Sequence, residues 1–208
     1  MAPKPPPDPP ESDAVPAATT GFVDFVAEWN ASQALPTPAL HARMAAWLER
    51  HWLARTRKLL LMAFRGAGKS TLVGLFCAWL LARDPNLRIA VVAAELRLAR
   101  KMVRNAKRII ERHAPLRGLK PRERDQWAAD QFTVRRAAEL RDPSMLARGI
   151  DANLTGSRAD VVICDDVEVP GTAATEARRV DLREKLGEID YVLAPGGTQI
   201  YVGTPHSY

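Results

Sequence analysis

A short glycine-containing segment holds the residues whose types point most directly to chemistry. An apolar run that ends at Met62 precedes it, and an apolar stretch from Thr71, long enough for a buried helix, follows it. A strand, a glycine loop, a Lys-Ser pair and a helix form the context of a phosphate-binding P-loop. The segment consists of Ala63, Phe64, Arg65, Gly66, Ala67, Gly68, Lys69, Ser70 and Thr71.

The residues of this loop have distinct expected roles. Its glycines let the backbone turn tightly and approach an anion closely. The following helix adds about half a positive charge of dipole at its start. Lys69 would bridge the β- and γ-phosphates of ATP, and Ser70 would hold Mg²⁺. The motif usually begins with glycine, and Ala63 stands in that position. The residues expected to bind the nucleotide are Arg65, Gly66, Ala67, Gly68, Lys69, Ser70 and Thr71.

A second apolar run ends in acidic residues. The residues from Ala159 onward describe a buried strand, after which come Asp165, Asp166 and Glu168. An open α/β sheet binds ligands at the carboxyl edge of its strands. We therefore expect Asp165 to hold Mg²⁺ opposite Ser70. Asp166 would polarise the attacking water as general base, and Glu168 is the alternative for that role because its side chain is longer.

Three more residues are candidates for acting on the transferred phosphate. Thr204 follows a predicted strand at 198–202, where a small polar residue can contact the γ-phosphate or the attacking water. Arg65 lies inside the loop and could stabilise developing charge in cis. Arg158 precedes the acidic strand and could act in cis or across a subunit boundary. For either arginine, a structural salt bridge is the alternative.

Strands and helices alternate along the chain and would position these residues. We expect helices at 22–29, 39–54, 71–81, 95–113 and 172–189, and strands at 59–62, 88–94, 131–136, 145–150 and 198–202 in addition to the acidic strand. The strands at 131–136 and 145–150 would pair as an antiparallel hairpin. An irregular basic loop would occupy 115–127, and Gly196-Gly197 would form a turn.

The order of these elements predicts an α/β fold with a mainly parallel sheet flanked by helices. The near-continuous apolar run at 88–94 is typical of a central parallel strand. One strand–helix unit separates the P-loop from the acidic strand. This spacing indicates an additional central strand and the P-loop NTPase class that uses a catalytic acid. We expect a disordered proline-rich tail (1–20), a helical segment (21–57) and a P-loop ATPase core (58–208) that is truncated at its C-terminus.

Composition favours a cytosolic protein with a polyanionic partner. The chain has 30 Lys and Arg against 24 Asp and Glu, a net charge of +6. No run approaches ~18 uncharged apolar residues, so no membrane span is expected. Cys77 and Cys164 lie in apolar stretches and should be reduced core residues. Four basic residues on one face of the helix at 95–113 form either a DNA-facing stripe or a solvated face. They are Arg97, Lys101, Arg104 and Arg108.

Three stretches together resemble the large terminase subunit of tailed phages, and most closely that of short-tailed podoviruses. They are FRGAGKST (64–71), LTGSRADVVICDDVEVP (154–170) and YVGTPHS (201–207). The resemblance covers roughly residue 35 to the last residue. It implies an ATP-driven motor that pushes double-stranded phage DNA into a preformed head. It also implies Arg65 as a motor arginine and Thr204 as the coupling residue, and it places His41 near the position of an adenine-side glutamine.

The resemblance also implies partners. In that family the motor works as a homo-oligomeric ring on the portal protein in the host cytoplasm, and a small terminase subunit selects the DNA. Family members continue into an RNase H-like nuclease. No nuclease carboxylate cluster is present in this sequence, so we expect no DNA cleavage by this polypeptide. Two alternatives stay open: an ATP-dependent helicase or other DNA-remodelling ATPase, and an inactive terminase remnant that only binds nucleotide.

Overall fold

The computed structural model describes residues 20–121, 127–152 and 156–205, which form a six-stranded sheet with helices on both faces. The strands are β1 (Lys58–Met62), β2 (Ile89–Ala93), β3 (Gln131–Phe132), β4 (Met145–Gly149), β5 (Ala159–Asp165) and β6 (Leu193–Gly203). The helices are α1 (Phe22–Ser32), α2 (Ala39–Leu53), α3 (Lys69–Arg83), α4 (Leu96–Arg112), α5 (Pro170–Ala173), α6 (Glu176–Gly187) and α7 (Ile189–Val192). The predicted α/β fold is confirmed.

The strand order of the sheet is β1-β6-β5-β2-β4-β3. The strands β1, β6, β5, β2 and β4 run parallel, and β3 pairs antiparallel with β4 at one edge. Although β6 comes last in sequence, it lies between β1 and β5. The strand before the P-loop and the acidic strand are therefore separated by one strand, and their carboxyl ends point in the same direction.

Burial follows this layering. All five residues of β2 are buried, as expected for a strand with neighbours on both sides and helices on both faces. Cys77 and Cys164 are both free and buried, as predicted. Burial raises the pKa of each thiol to about 12, so both stay protonated and serve as small core residues.

The P-loop helix α3 is the central helix of one layer. Every residue from Leu72 to Ala82 is buried, because the sheet covers one side and α1, α2 and α4 cover the others. The rings of Phe22 and Phe76 pack edge to face with centroids 5.0 Å apart. The N-terminal helices therefore share one hydrophobic core with the sheet. The predicted domain boundaries stay a prediction.

Helix α4 packs directly on α3 through a glycine. A Cβ on Gly74 would lie 2.3 Å from Asn105 Nδ2, so a larger residue would force the Asn105 side chain to move. The buried face of α4 consists of Ala99, Met102, Val103, Ala106, Ile109 and Ile110. Its opposite face carries the basic residues. This packing fixes the first turns of α4 next to the P-loop.

Most predicted elements are confirmed to within a few residues, but four regions differ. A 3-10 helix, Ala114–Leu119, occupies part of the predicted irregular loop. The predicted hairpin is antiparallel, yet β3 has only two residues while β4 joins β2 in the main sheet. The helix predicted at 172–189 is divided into α5, α6 and α7.

The predicted Gly196-Gly197 turn lies inside β6 instead. The pairing of β5 with β6 jumps from Leu193 to Thr198, so the intervening residues form an irregularity in the strand. Gly196 adopts a φ of 81°, which allows the chain to bulge there. Within the described ranges, the longest apolar helical stretches are too short to cross a bilayer. The predicted disordered tail lies outside the described residues, apart from Thr20.

Candidate functional site

The carboxyl ends of four parallel strands meet at one edge of the sheet. Met62 at the end of β1 pairs in register with Gly203 at the end of β6. Asp165 at the end of β5 has Val202 on one side and Ala93 of β2 on the other. The segments that follow these strands therefore emerge side by side, which is where an open α/β sheet binds ligands.

The loop between β1 and α3 turns through two glycines. Gly66 has a φ of 86° and Gly68 a φ of 75°, a region that favours glycine. A Cβ on Gly68 would also lie 2.4 Å from His41 Nε2. Ala63 is not among the residues with positive φ, so alanine fits where the motif usually begins with glycine.

The ammonium group of Lys69 lies inside this loop. The residue is only 7% exposed. Its Nζ donates hydrogen bonds to the backbone oxygens of Ala63 at 3.0 Å and Phe64 at 3.3 Å, and to Thr204 Oγ1 at 2.8 Å. These acceptors are uncharged, so the buried cation keeps its positive charge available for an anion.

Ser70 and Asp165 form a second contact across the same edge. Ser70 Oγ donates a hydrogen bond to Asp165 Oδ2 at 3.3 Å. Burial, together with the nearby charge of Asp166, raises the pKa of the Asp165 carboxyl to about 6. Asp165 Oδ1 is buried and has no hydrogen-bond partner in the described part of the chain. Asp165 therefore has an unused oxygen and an environment that penalises its negative charge.

This arrangement fits a magnesium ion. The described residues contain no group of three or more His, Cys, Asp or Glu side chains that could enclose a metal. Mg²⁺ in nucleotide sites instead takes one or two protein oxygens together with water and substrate phosphates. The Ser70 hydroxyl and the unpartnered Asp165 oxygen are ligands of that kind.

Asp166 has an unusual backbone conformation. Its φ is 44°, and its N–H donates to Val202 O at 2.9 Å. The Asp166 Oδ1 atom is buried without a partner among the described residues. Non-glycine residues at positive φ cluster at functional sites, where the surrounding structure holds them in place. The turn after β5 thus directs the Asp166 carboxylate toward the cleft.

A cleft of about 830 Å³ opens over the loop, within the usual range for small-molecule sites. A smaller pocket of about 240 Å³ adjoins it beside Ser70, Thr71, Asp165 and Asp166. The cleft is lined by Arg65, Gly66, Gly68, Lys69, Ser70, Thr71, Ala94, Glu95, Arg97, Leu98, Asp166, Val169, Pro170, Thr204 and Pro205. Its chemistry suits a polyanionic ligand with a bound cation.

Comparison with models of protein families gives a match that spans the P-loop and the acidic strand. Residues 60–166, about half of the chain, match the family model of the RNA cytidine acetyltransferase NAT10/TcmA helicase domain. The chain belongs to this helicase-domain family. The matched range begins in β1 and ends at Asp166, so it contains both the P-loop and the acidic strand.

A curated relative adds a more specific similarity. The chain is 39% identical, over 153 residues, to the large terminase subunit of Enterobacteria phage T3. The match covers 73% of this chain and 26% of the phage protein. The chain thus spans about a quarter of the length of the relative it matches. The similarity supports assigning this helicase-type domain to the N-terminal region of a terminase large subunit.

The structure brings most of the predicted site residues of this helicase-type domain together. Those that line the cleft are Arg65, Gly66, Gly68, Lys69, Ser70, Thr71, Asp166 and Thr204. Asp165 lines the adjoining pocket. Ala67 belongs to the loop but is buried, and its backbone oxygen lies 3.0 Å from His41 Nε2. His41 therefore supports the back of the loop.

Two predicted site residues lie elsewhere. Glu168 is exposed and does not line the cleft described above. Arg158 precedes β5, whereas Asp165 ends it, and seven strand residues span about 20 Å. Arg158 therefore lies where the parallel strands begin, at the end of the sheet opposite the cleft, in a separate groove with Arg88 and Arg141. Its predicted action in cis does not agree with this position.

Three charged residues at the cleft and the adjoining pocket were not predicted from the sequence as site residues. Glu95 and Arg97 line the cleft, and Lys101 lines the adjoining pocket. The sequence pattern placed Arg97 and Lys101 in a basic helix face and gave them no role at the nucleotide. Glu95 could have been found, because it follows an apolar strand just as the paired aspartates lie at the end of another.

Proposed function

We propose that this chain is the ATPase motor segment of a phage terminase large subunit. In this proposal it couples Mg²⁺-dependent ATP hydrolysis to the packaging of double-stranded DNA into the procapsid. The observation that carries the proposal is the meeting of Lys69 with Thr204, and of Ser70 with Asp165, at one sheet edge. The similarity to the T3 large terminase subunit gives the motor its biological setting.

Binding of ATP follows from the loop. The amides from Gly66 to Ser70 and the start of α3 would receive the phosphates. Lys69 would contact the β- and γ-phosphate oxygens, and Arg65, Ala67 and Thr71 would complete the nucleotide-binding residues. Ser70 and Asp165 would hold Mg²⁺, which when bound neutralises charge on the phosphates.

The hydrolytic step assigns roles to the remaining residues. Asp166 lines the cleft, and its buried Oδ1 has no partner among the described residues. Its carboxylate would accept a proton from the water that attacks the γ-phosphorus. Glu168 could replace Asp166 as the general base only if the loop that carries Glu168 moved toward the cleft. Arg65 would stabilise charge in cis, and Arg158 would act only on the nucleotide of a neighbouring subunit. Thr204 would sense the γ-phosphate through Lys69.

We assign the domain to the P-loop class that has an additional strand and a catalytic acid. The position of β6 between β1 and β5 supports this class. So does the acid Asp166, which directly follows the magnesium-binding Asp165. We further propose double-stranded DNA, a portal protein and a small terminase subunit as partners, in a homo-oligomeric ring in the host cytoplasm.

The decisive experiment measures phosphate release from ATP with and without DNA and portal. Lys69→Ala should abolish turnover because the buried ammonium is lost. Lys58→Ala is the matched control, since Lys58 is an exposed lysine on β1 paired with Asp190. Unchanged turnover in Lys69→Ala would remove the proposal. Nucleotide binding without phosphate release, even with all partners, would indicate an inactive remnant.

An ATP-dependent helicase or DNA-remodelling ATPase is the second candidate. The match to the NAT10/TcmA helicase-domain model favours it. A strand-separation assay with a forked duplex discriminates between the two. A packaging motor should hydrolyse ATP on the duplex without separating its strands. The predicted lack of DNA cleavage stays a prediction, which incubation with supercoiled plasmid and Mg²⁺ tests.

A further inference from the structure

An ion pair lies on the wall of the nucleotide cleft. Arg97 Nε lies 2.5 Å from Glu95 Oε2, and Arg97 Nη2 lies 3.3 Å from Glu95 Oε1. Both residues line the cleft that also contains Lys69 and Asp166. The pair follows β2 directly, and β2 is the neighbour of the acidic strand. It therefore faces the ligand position from the side opposite the P-loop strand.

Arg97 can leave Glu95 for another anion at little cost, because the ion pair is exposed. The side chains of Arg97 and Glu95 are 65% and 57% exposed. Such exposed pairs contribute little to stability, because water and salt screen them. Hydrogen bonding within the pair lowers the pKa of Glu95 and raises the pKa of Arg97, so both stay charged. The guanidinium therefore remains a full cation with a replaceable partner.

We propose that Arg97 is a phosphate-contacting residue of this cleft, and that it leaves Glu95 for the terminal phosphate when ATP binds. A guanidinium binds phosphate oxygens through two parallel hydrogen bonds and prefers a more highly charged partner. ADP lacks the terminal phosphate, so with ADP Arg97 stays on Glu95. This inference rests on the proposed ATPase function.

The exchange has a structural consequence, because Arg97 belongs to the first turn of α4. That helix is held against α3 through the close contact at Gly74 and carries the exposed basic residues Lys101, Arg104 and Arg108 on the same chain segment. A partner change at Arg97 would therefore report the nucleotide state to the helix with the basic face. The acid released in the exchange, Glu95, stays at the cleft wall.

Nucleotide affinity tests the proposal without relying on turnover. Dissociation constants for ADP and for a non-hydrolysable ATP analogue are measured by calorimetry in Mg²⁺ buffer. Arg97→Ala should weaken binding of the ATP analogue by about tenfold, the size of one charge-assisted hydrogen bond, and leave ADP binding within about twofold. Arg104→Ala, two turns further along the exposed face of α4, is the matched control and should change neither constant.

Glu95→Gln provides the second arm. Removing the competing carboxylate should tighten binding of the ATP analogue, and this gain should vanish in the Glu95→Gln, Arg97→Ala double variant. If Arg97→Ala binds both nucleotides like the wild type, or weakens both equally, the proposal is wrong. Lys69→Ala distinguishes this failure from that of the proposed function: if Lys69→Ala also binds nucleotide normally, the proposed function fails as well.

Discussion

Lys69 Nζ donates a 2.8 Å hydrogen bond to Thr204 Oγ1, although the two residues are 135 positions apart in sequence. The bond joins the start of α3 to the end of β6. A ligand whose phosphates contact the ammonium would therefore also be linked to Thr204. In the proposed function, this bond would connect the strand inserted between the P-loop strand and the acidic strand to the state of the nucleotide.

Thr204→Val should separate binding from turnover. Valine keeps the shape of threonine but removes the acceptor of the Lys69 hydrogen bond. Hydrogen bonds to charged groups contribute about 1.5–3 kcal/mol, so we expect kcat to fall about tenfold or more while nucleotide affinity changes little. Steady-state phosphate release measures this. Thr204→Ser, which keeps the hydroxyl, should retain most of the activity, and equal rates for Val and Ser would contradict the role.

Asp165→Asn should stabilise the nucleotide-free protein at neutral pH. The folded pKa of Asp165 is raised to about 6 from an ordinary 3.8. The folded state therefore binds more protons between these values, and stability falls as pH rises through that window, by up to about 3 kcal/mol. Asparagine removes this destabilisation.

Urea unfolding at two pH values checks the sign of that effect. At pH 7.5 the free energy of unfolding of the Asn variant should exceed that of the wild type. The two values should converge below pH ~4, where the Asp165 carboxyl is protonated in both the folded and the unfolded state. Mg²⁺ with nucleotide should then stabilise the wild type much more than the variant. A variant that is less stable than the wild type at pH 7.5 would show that the Asp165 charge is not penalised.

Asp166 and Glu168 should differ sharply in their effect on catalysis. Asp166→Asn removes the proton acceptor at the cleft, and we expect kcat to fall by about 10²- to 10⁴-fold with nucleotide binding preserved. Glu168→Gln changes an exposed residue and should stay close to the wild type. Single-turnover hydrolysis measures both. The reverse pattern would transfer the role of general base to Glu168.

Gly68→Ala should lower thermal stability and ATP affinity more than Gly66→Ala does. Both positions have positive φ, which costs an alanine about 1–2 kcal/mol. At Gly68 the new methyl group would also meet the His41 ring, whereas nothing lies within 4 Å of the corresponding position at Gly66. Thermal unfolding and ATP affinity measure the difference. Adding His41→Ala should recover part of the damage at Gly68 and none at Gly66.

The exposed face of α4 should contribute to DNA affinity. The Arg104→Ala, Arg108→Ala double variant should weaken binding of duplex DNA and reduce the salt slope by up to about 2, because each arginine that neutralises a phosphate adds about 1. Arg178→Ala with Arg183→Ala on α6 removes the same charge from another exposed helix. Fluorescence anisotropy across a salt series compares them. Equal weakening in both variants would mean that only net charge matters.

Local patterns explain why much of the site was predictable. The P-loop requires glycines at positive φ followed by Lys and Ser at a helix start, and these requirements lie within one short segment. The apolar runs of β2 and β5 likewise predict buried strands, because burial on both faces demands it. The break between α5 and α6 was not predictable from periodicity, since the charged residues at 172–189 have no strong apolar stripe.

The sequence by itself determined the phosphate-binding loop, the acidic strand and the alternation of strands and helices, because each depends on neighbouring residues. Only the tertiary structure decided which charges share the cleft. Strand order placed β6 beside β1 and so brought Thr204 to Lys69, and strand direction carried Arg158 to the far edge. Close packing of α4 on α3 put Arg97 at the cleft. Such placements depend on long-range packing, which no local spacing encodes.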